Sequence, residues 1–256
     1  MKIAALYDIH GNFPALKAVL RDLEDVKPDL IVIGGDIVSG PMPVQTLERL
    51  IQLKTQYPVQ FIRGNCDREV VLAFDEKPLR SEMSAKGREK TEWVATQLNR
   101  EHRDFLAHLP LRFTQEFEGL GEVLFCHATP HSDEDIFTSN TPRDSLVPMF
   151  EGIKQNTVIC GHTHIQFERT IGSIRILNAG SVGMPYAESP GAYWLLIDSD
   201  GHAFRRTDYD GEAAAHLLMT STDPQVKEFI EENVLNVPTA AQAIEVFEQI
   251  SRNQRL

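Results

Sequence analysis

Two imidazoles, His162 and His164, follow the run Thr157-Val158-Ile159-Cys160-Gly161. An apolar, β-branched run of this kind fits a buried strand, and Gly161 permits a sharp turn at its end. Ligands of open α/β sheets gather in the loops beyond the carboxyl ends of strands. Buried as a structural pair, each histidine would need a hydrogen-bond partner. As metal ligands they need a cation instead, and histidine is the commonest such ligand. Four more strand-like runs end in the same way. Ile3 to Tyr7 leads into Asp8-Ile9-His10-Gly11-Asn12, and Asp29 to Ile33 into Gly34-Gly35-Asp36. Val59 to Ile62 leads into Arg63-Gly64-Asn65-Cys66-Asp67, and Glu122 to Phe125 into Cys126-His127. The spacing of Asp8 and His10 puts both on one side of an extended segment. Taken alone, Asp8 could simply cap the following helix. Five strand ends presenting Asp, His or Asn are hard to assign to capping.

Together these ends supply Asp8, His10, Asp36, Asn65, His127, His162 and His164. Seven nitrogen and oxygen donors are too many for one ion and suit two. Mn²⁺, Fe²⁺ and Zn²⁺ accept mixtures of imidazole and carboxylate. Two such ions about 3.5–4 Å apart can clamp a phosphoryl group, with a bound hydroxide as nucleophile. One carboxylate must bridge them, and Asp36 is the candidate as the lone Asp at its strand end. Cysteine is not needed as a ligand.

The elements that position these residues follow from periodicity. Phe13, Leu16, Val19, Leu20 and Leu23 recur at helical spacing, with Pro14 suited to a first turn. A second helix is expected from about Pro43 to Thr55. Strand, loop, helix, strand in this rhythm indicates βαβ units and a largely parallel sheet. Lys77 to Leu109 reads as helical cover without visible chemistry, its buried stripe being Trp93, Leu98, Phe105, Leu106 and Leu109. Phe113 to Phe117 and Glu122 to Phe125 read as a hairpin about Gly119-Leu120-Gly121. The polar loop from Ser132 to Pro142 is placed at the border of the site, and a helix is expected from about Arg143 to Lys154. Further strands are expected near Phe167 to Ile171, Ile174 to Leu177, Tyr193 to Ile197 and Ala203 to Thr207. Helical patterns cover about Gly211 to Met219, Pro224 to Val234 and Thr239 to Arg252.

Bulk properties exclude several classes. The chain has 256 residues, 42% hydrophobic and 24% charged, as in an ordinary globular protein. Its net charge of -12 is the opposite of a duplex-binding footprint, so no duplex nucleic acid is expected as a partner. No apolar run reaches the roughly 20 residues of a membrane helix, and the amino terminus lacks a signal-peptide pattern. Three cysteines without CxxC spacing make a disulfide framework improbable and point to a reducing cytoplasm.

The ordered set Asp8-x-His10, Gly35-Asp36, Gly64-Asn65-x-Asp67, His127 and Gly161-His162-x-His164 resembles the calcineurin-like metallophosphoesterase superfamily. The resemblance covers roughly residues 1–207, leaving 208–256 as a C-terminal helical extension packed on the same domain. It implies an α/β fold, a four-layer αββα sandwich of two mixed β-sheets with a dinuclear metal site at the strand-end loops. By that carry-over Asp8, His10, Asp36 and His164 hold one ion, and Asp36, Asn65, His127 and His162 the other. Mn²⁺ is the first choice, with Fe, Zn, Ni or Mg as further candidates. Arg63 is a candidate phosphate contact, with a surface salt bridge as the equal alternative.

One position departs from the pattern. Many members carry His between the Asn and the Asp, thought to protonate the leaving oxygen, where this chain has Cys66. The Gly-Asn-Cys-Asp form, residues 64–67, looks like a small prokaryotic branch that includes phosphodiesterases. A thiol is a poor acid–base substitute at neutral pH, so aryl or cyclic esters should be favoured over alkyl ones. The expected function is hydrolysis of a small phosphorylated substrate, with Asp36, Asn65, Cys66, Asp67 and Arg63 as the catalytic candidates. Phosphomonoester or phosphoprotein hydrolysis, dinucleoside polyphosphate hydrolysis, and a non-catalytic scaffold are the alternatives. The C-terminal helices could form a lid, a homo-oligomer contact or edge cover.

Overall fold

The computed structural model describes residues 1–117 and 121–254, so most of the expected hairpin turn at 119–121 lies outside the described residues. The first half of the chain contains β1 (Ile3–Leu6), α1 (Phe13–Val26), β2 (Leu30–Ile33), α2 (Pro43–Leu53), β3 (Val59–Phe61) and α3 (Asn65–Phe74). Two helices, α4 (Ala85–Gln97) and α5 (Arg100–Ala107), precede β4 (Arg112–Phe117), β5 (Gly121–Cys126) and the short α6 (Arg143–Leu146). Then come β6 (Thr157–Cys160), β7 (Gln166–Ile171), β8 (Ile174–Ala179), β9 (Ala192–Asp198) and β10 (Gly201–Thr207). The chain continues through α7 (Gly211–Leu218), α8 (Val226–Ile230) and α9 (Ala240–Gln254).

Among the described residues, ten strands divide into two five-stranded sheets, ordered β10-β9-β1-β2-β3 and β4-β5-β6-β8-β7. Both are mixed: β1, β2 and β3 run parallel, as do β5, β6 and β8, while β9, β10, β4 and β7 pair antiparallel. The pleat of β1 explains the layering. Alternate side chains point to opposite faces of a strand. Ile3, Ala5 and Tyr7 join Leu30 and Val32 against Phe125, Ile159 and Leu177 of the second sheet. Ala4 and Leu6 face the other way, into a core shared with Leu16, Val19 and Leu23 of α1 and Leu47 and Leu50 of α2. The outer face of the second sheet, with Leu124, Val158 and Ile176, is covered by Phe137, Leu146, Phe150 and Ala243 of α9. These layers make the four-layer αββα sandwich. Each large side chain fully buried in them contributes roughly 1.5–3 kcal/mol. Beyond residue 207, α7 and α8 close over Met42 through Leu218, Phe229 and Ile230.

Three local expectations are corrected. The helix expected over Arg143 to Lys154 stops at Leu146 and passes into a 3-10 turn at Val147–Phe150. Pro148 has no N–H to continue an α-helix, and Gly152 then turns the chain at φ 78°. A helix that periodicity did not reveal, α3, begins at Asn65. Its start is capped by Asp67, whose Oδ2 accepts the Gly64 N–H at 3.0 Å. The cap of α1 is Asn12, whose Oδ1 accepts the Ala15 N–H, which leaves Asp8 free for another role.

Candidate metal centre

Each strand run ends in a loop that turns its polar side chain inward, and the backbone is strained where it does so. Five of the seven non-glycine residues with positive φ among the described residues are Asp8, His10, Asp36, His162 and His164. The loop carrying Asp8 and His10 is therefore not extended, as the spacing alone suggested; φ is 53° and 48° there. An L-residue in this region costs roughly 1–2 kcal/mol, so cross-ties must hold it. The Asp8 and His10 N–H groups donate to Gly35 O and Asp36 O, joining the β1 and β2 loops. The His162 N–H donates to Asp8 Oδ2 at 2.9 Å, joining the two sheets. A Cβ on Gly161 would collide with the Asp8 carboxylate, so only glycine allows this approach.

The seven expected donors converge. His10 Nε2 and His127 Nε2 each lie 3.6 Å from Asp36 Oδ2. His164 Nε2 is 3.4 Å from Asp8 Oδ1 and 3.1 Å from His10 Nε2. The Asn65 carboxamide faces His127 Nε2 at 3.3 Å and His162 Nδ1 at 3.1 Å. Two ligand groups result, Asp8 with His10 and His164, and Asp36 with His127 and His162. Asp36 also groups with His10 and Cys66. The other Asp36 oxygen, Oδ1, accepts the Cys66 N–H at 2.9 Å, which fixes the carboxylate plane.

The imidazoles are oriented from behind. The Nδ1 atoms of His10, His127 and His164 lie 3.2, 2.8 and 2.7 Å from Ser39 O, Gly34 O and Met184 O. A carbonyl can only accept, so Nδ1 carries the proton and Nε2 presents a lone pair inward, the arrangement found behind metal-ligating histidines. Burial pushes His10 and His162 down to about 4, so both are neutral at physiological pH. Burial would raise Asp8 and Asp36, yet the facing histidines hold both carboxyls low. Asp8 Oδ1 is fully buried, has no hydrogen-bond partner among the described residues and faces three Nε2 atoms. A buried carboxylate oxygen without a donor is costly. Cations supply what this donor set lacks, so the residues fit divalent metal ions.

The remaining candidates lie close by. Asp67 is buried beneath the site and accepts the Ile37 N–H at 2.9 Å, a structural position. Cys66 lines the cavity beside the donors. Enclosure of its thiol, then the Asp36 charge, pushes it well above its ordinary pKa. Arg63 is tied to Asp133, Nε to Oδ2 at 3.2 Å, and Arg68 holds the same carboxylate through Nε at 3.1 Å. Asp133 comes from the loop that begins at Ser132, which thus borders the site.

Supporting residues went unassigned in the sequence. Asn178, at the end of β8, donates to Gly161 O and Thr163 Oγ1, bracing the loop of His162 and His164. Ser181 Oγ donates to Asp8 O at 2.7 Å. The stretch Asn178-Ala179-Gly180-Ser181 shows the same polar strand-end signature as the ligand loops. α4, read only as cover, lines the adjoining cavity with Gly87, Lys90 and Thr91.

Comparison with known proteins agrees with this geometry. The family model described as the calcineurin-like phosphoesterase superfamily domain matches residues 1–201. The phosphodiesterase YfcE of Escherichia coli strain K12 is 26% identical over 209 residues, covering 78% of this chain and 89% of that protein. The uncharacterized protein MJ0912 of Methanocaldococcus jannaschii is 27% identical over 241 residues, 87% of this chain and 94% of its own length. In fold, the chain is similar to the hypothetical protein PH1004 of Pyrococcus horikoshii OT3. The TM-score is 0.79 at 21% identity, over 93% of this chain and 99% of that one. A metallophosphoesterase of Sphaerobacter thermophilus gives a TM-score of 0.67 at 23% identity, covering 90% and 97% of the two chains. With the family model covering nine of the ten described strands and every loop of the site, the chain belongs to the calcineurin-like phosphoesterase superfamily.

Proposed function

We propose that the protein is a phosphodiesterase dependent on two divalent ions, acting on a small phosphorylated substrate with a good leaving group. The observation that carries this reading is the position of Asp36 Oδ2, 3.6 Å from both His10 Nε2 and His127 Nε2. One carboxylate oxygen equally close to nitrogen donors of both ligand groups suits a bridge. Asp8, His10 and His164 complete one side, and Asn65, His127 and His162 the other. When bound, such ions polarise a phosphoryl group and acidify water beside it.

The chain's own residues do the rest. Backbone carbonyls behind three imidazoles keep the lone pairs aimed inward. The Cys66 N–H fixes Asp36, and the His162 N–H fixes Asp8. Cys66, pushed up by enclosure, is mismatched to a proton donor working near neutrality. Esters whose leaving groups depart without a proton are then the better substrates. The phosphodiesterase name of the E. coli relative points the same way. A cytoplasmic location belongs to the same proposal, resting on the three free cysteines. Among the described residues no helix is long and apolar enough to cross a membrane.

Metal-stripped protein reloaded with Mn²⁺, and in parallel with Zn²⁺, Ni²⁺ or Mg²⁺, tests the proposal on bis-p-nitrophenyl phosphate beside p-nitrophenyl phosphate. Metal-dependent diester cleavage that falls to background in Asp36→Asn supports it. Cleavage of the monoester alone would replace it with a phosphatase reading. Bound metal without turnover on either ester would count against both.

A further inference from the structure

A cavity of about 680 Å³ opens directly beside the metal centre. Ser39, Asn65 and Cys66 form its inner end, and Met83, Ile136 and Ile250 give it apolar wall. Its size falls within the roughly 300–1,000 Å³ of small-molecule sites. Ile250 belongs to α9, beyond the part of the chain that the family model matches.

Two cations line this cavity, Arg80 and Lys90. Arg80 already has carboxyl partners: its Nε lies 2.8 Å from Glu69 Oε1, and its Nη1 3.8 Å from Glu134 Oε1. Arg63, for which the sequence left a phosphate contact and a salt bridge as alternatives, is held with Arg68 on Asp133. Lys90 differs. No described carboxylate lies within 4.0 Å of it, and its Nζ stands 5.4 Å from the centroid of the Phe229 ring. Enclosure works against its charge, and Asp223, beyond ion-pair distance, works for it. Lys90 is half-buried in a cavity that Glu69 and Glu82 also line, and an ammonium partly withdrawn from water without a close counterion gains from an anion bound beside it.

We propose that Lys90 is the protein cation that binds a phosphate oxyanion of the substrate in this cavity. The inference rests on the phosphoesterase reading above and adds a substrate-positioning residue to it. The oxyanion has two sources, the reacting phosphoryl group or a second phosphate on the ester substituent.

The test uses Mn²⁺-loaded full-length protein, with calorimetric binding of orthophosphate and of pyrophosphate and the kinetics of bis-p-nitrophenyl phosphate. Lys90→Met weakens anion binding at least tenfold. Lys90→Gln does the same, so that the charge and not one side-chain shape carries the result. Lys90→Arg restores most of the affinity. Lys86→Met, which removes an exposed cation one turn earlier on α4, leaves it unchanged. Weaker binding of both anions assigns Lys90 to the reacting phosphoryl group, with KM for the diester rising. Weaker binding of pyrophosphate alone assigns it to a second phosphate. Unchanged binding of both anions in folded Lys90→Met and Lys90→Gln overturns the proposal, as does a larger loss in Arg63→Gln. Wild-type protein that binds neither anion would instead remove the phosphoesterase reading beneath it.

Discussion

Replacing Asn178 by alanine probes whether the metal loops are held by the frame behind them. Asn178 is fully buried. Its Nδ2 donates to Gly161 O at 2.7 Å and to Thr163 Oγ1 at 3.1 Å, and its Oδ1 accepts the Gly180 N–H at 2.9 Å. Each such bond contributes about 1 kcal/mol net, and a buried donor left without a partner costs about 1–3 kcal/mol more. The Gly161 carbonyl keeps the Thr163 N–H, so the Gly180 N–H is the backbone group stranded. Asn178→Ala should therefore lose about 4–6 kcal/mol, a Tm drop on the order of 15 °C for a chain of this size. Metal affinity should fall about 10–100-fold, as when other outer residues behind metal ligands are removed. Urea unfolding of the metal-free protein reads the first effect, and calorimetric Mn²⁺ titration the second. A stability loss under about 1 kcal/mol together with unchanged affinity would refute the reasoning.

Other consequences follow from the same geometry. Burial, foremost, pushes the Glu69 carboxyl up to about 7, against the pull of Arg80 and Arg68. A carboxyl raised in the folded state holds its proton more tightly there, so its contribution to stability is full at low pH and is lost as pH rises from about 4.5 to about 7. Glu69→Gln should flatten that part of the urea-midpoint curve; an unchanged slope would contradict the assignment. Chelation should lower Tm, since each ion present at 100 times its Kd stabilises the fold by about 2.7 kcal/mol. Equal Tm values with and without chelator would oppose metal binding to the folded state. Wild-type enzyme should favour aryl over alkyl diesters, and Cys66→His should narrow that gap by about tenfold or more through a restored proton donor. Comparable wild-type rates on the two ester types would sink this reading of Cys66.

The sandwich and its site were legible to different degrees, for physical reasons. Strands such as Leu30–Ile33 and Thr157–Cys160 are buried on both faces, so they read as unbroken apolar runs. The loops after five such strands carry polar donors, which marked the seven candidate ligand positions that the fold brings together. The start of α3 was hidden because Asn65 and Asp67, a ligand candidate and a cap, occupy its first turn where apolar periodicity would otherwise begin. The surrounding pattern suggested a helix over Arg143 to Lys154, and Pro148, which cannot donate within it, is where the α-helix gives way to a 3-10 turn. Long-range partners leave no local mark: Asp133 sits 70 residues from Arg63, and their ion pair is visible only in the fold. Lys90 likewise looked like one more charge on a solvated helix until the fold placed α4 beside the metal loops.

Counting the ions bound per chain bears most directly on the arrangement of Asp36 between two histidine-containing sets. Metal-stripped protein titrated with Mn²⁺, with bound metal measured by elemental analysis, should take up two ions per chain. Asp36→Asn should retain at most one under the same conditions. Wild-type protein that binds a single ion, or none, would contradict a bridging carboxylate and the dinuclear chemistry built on it.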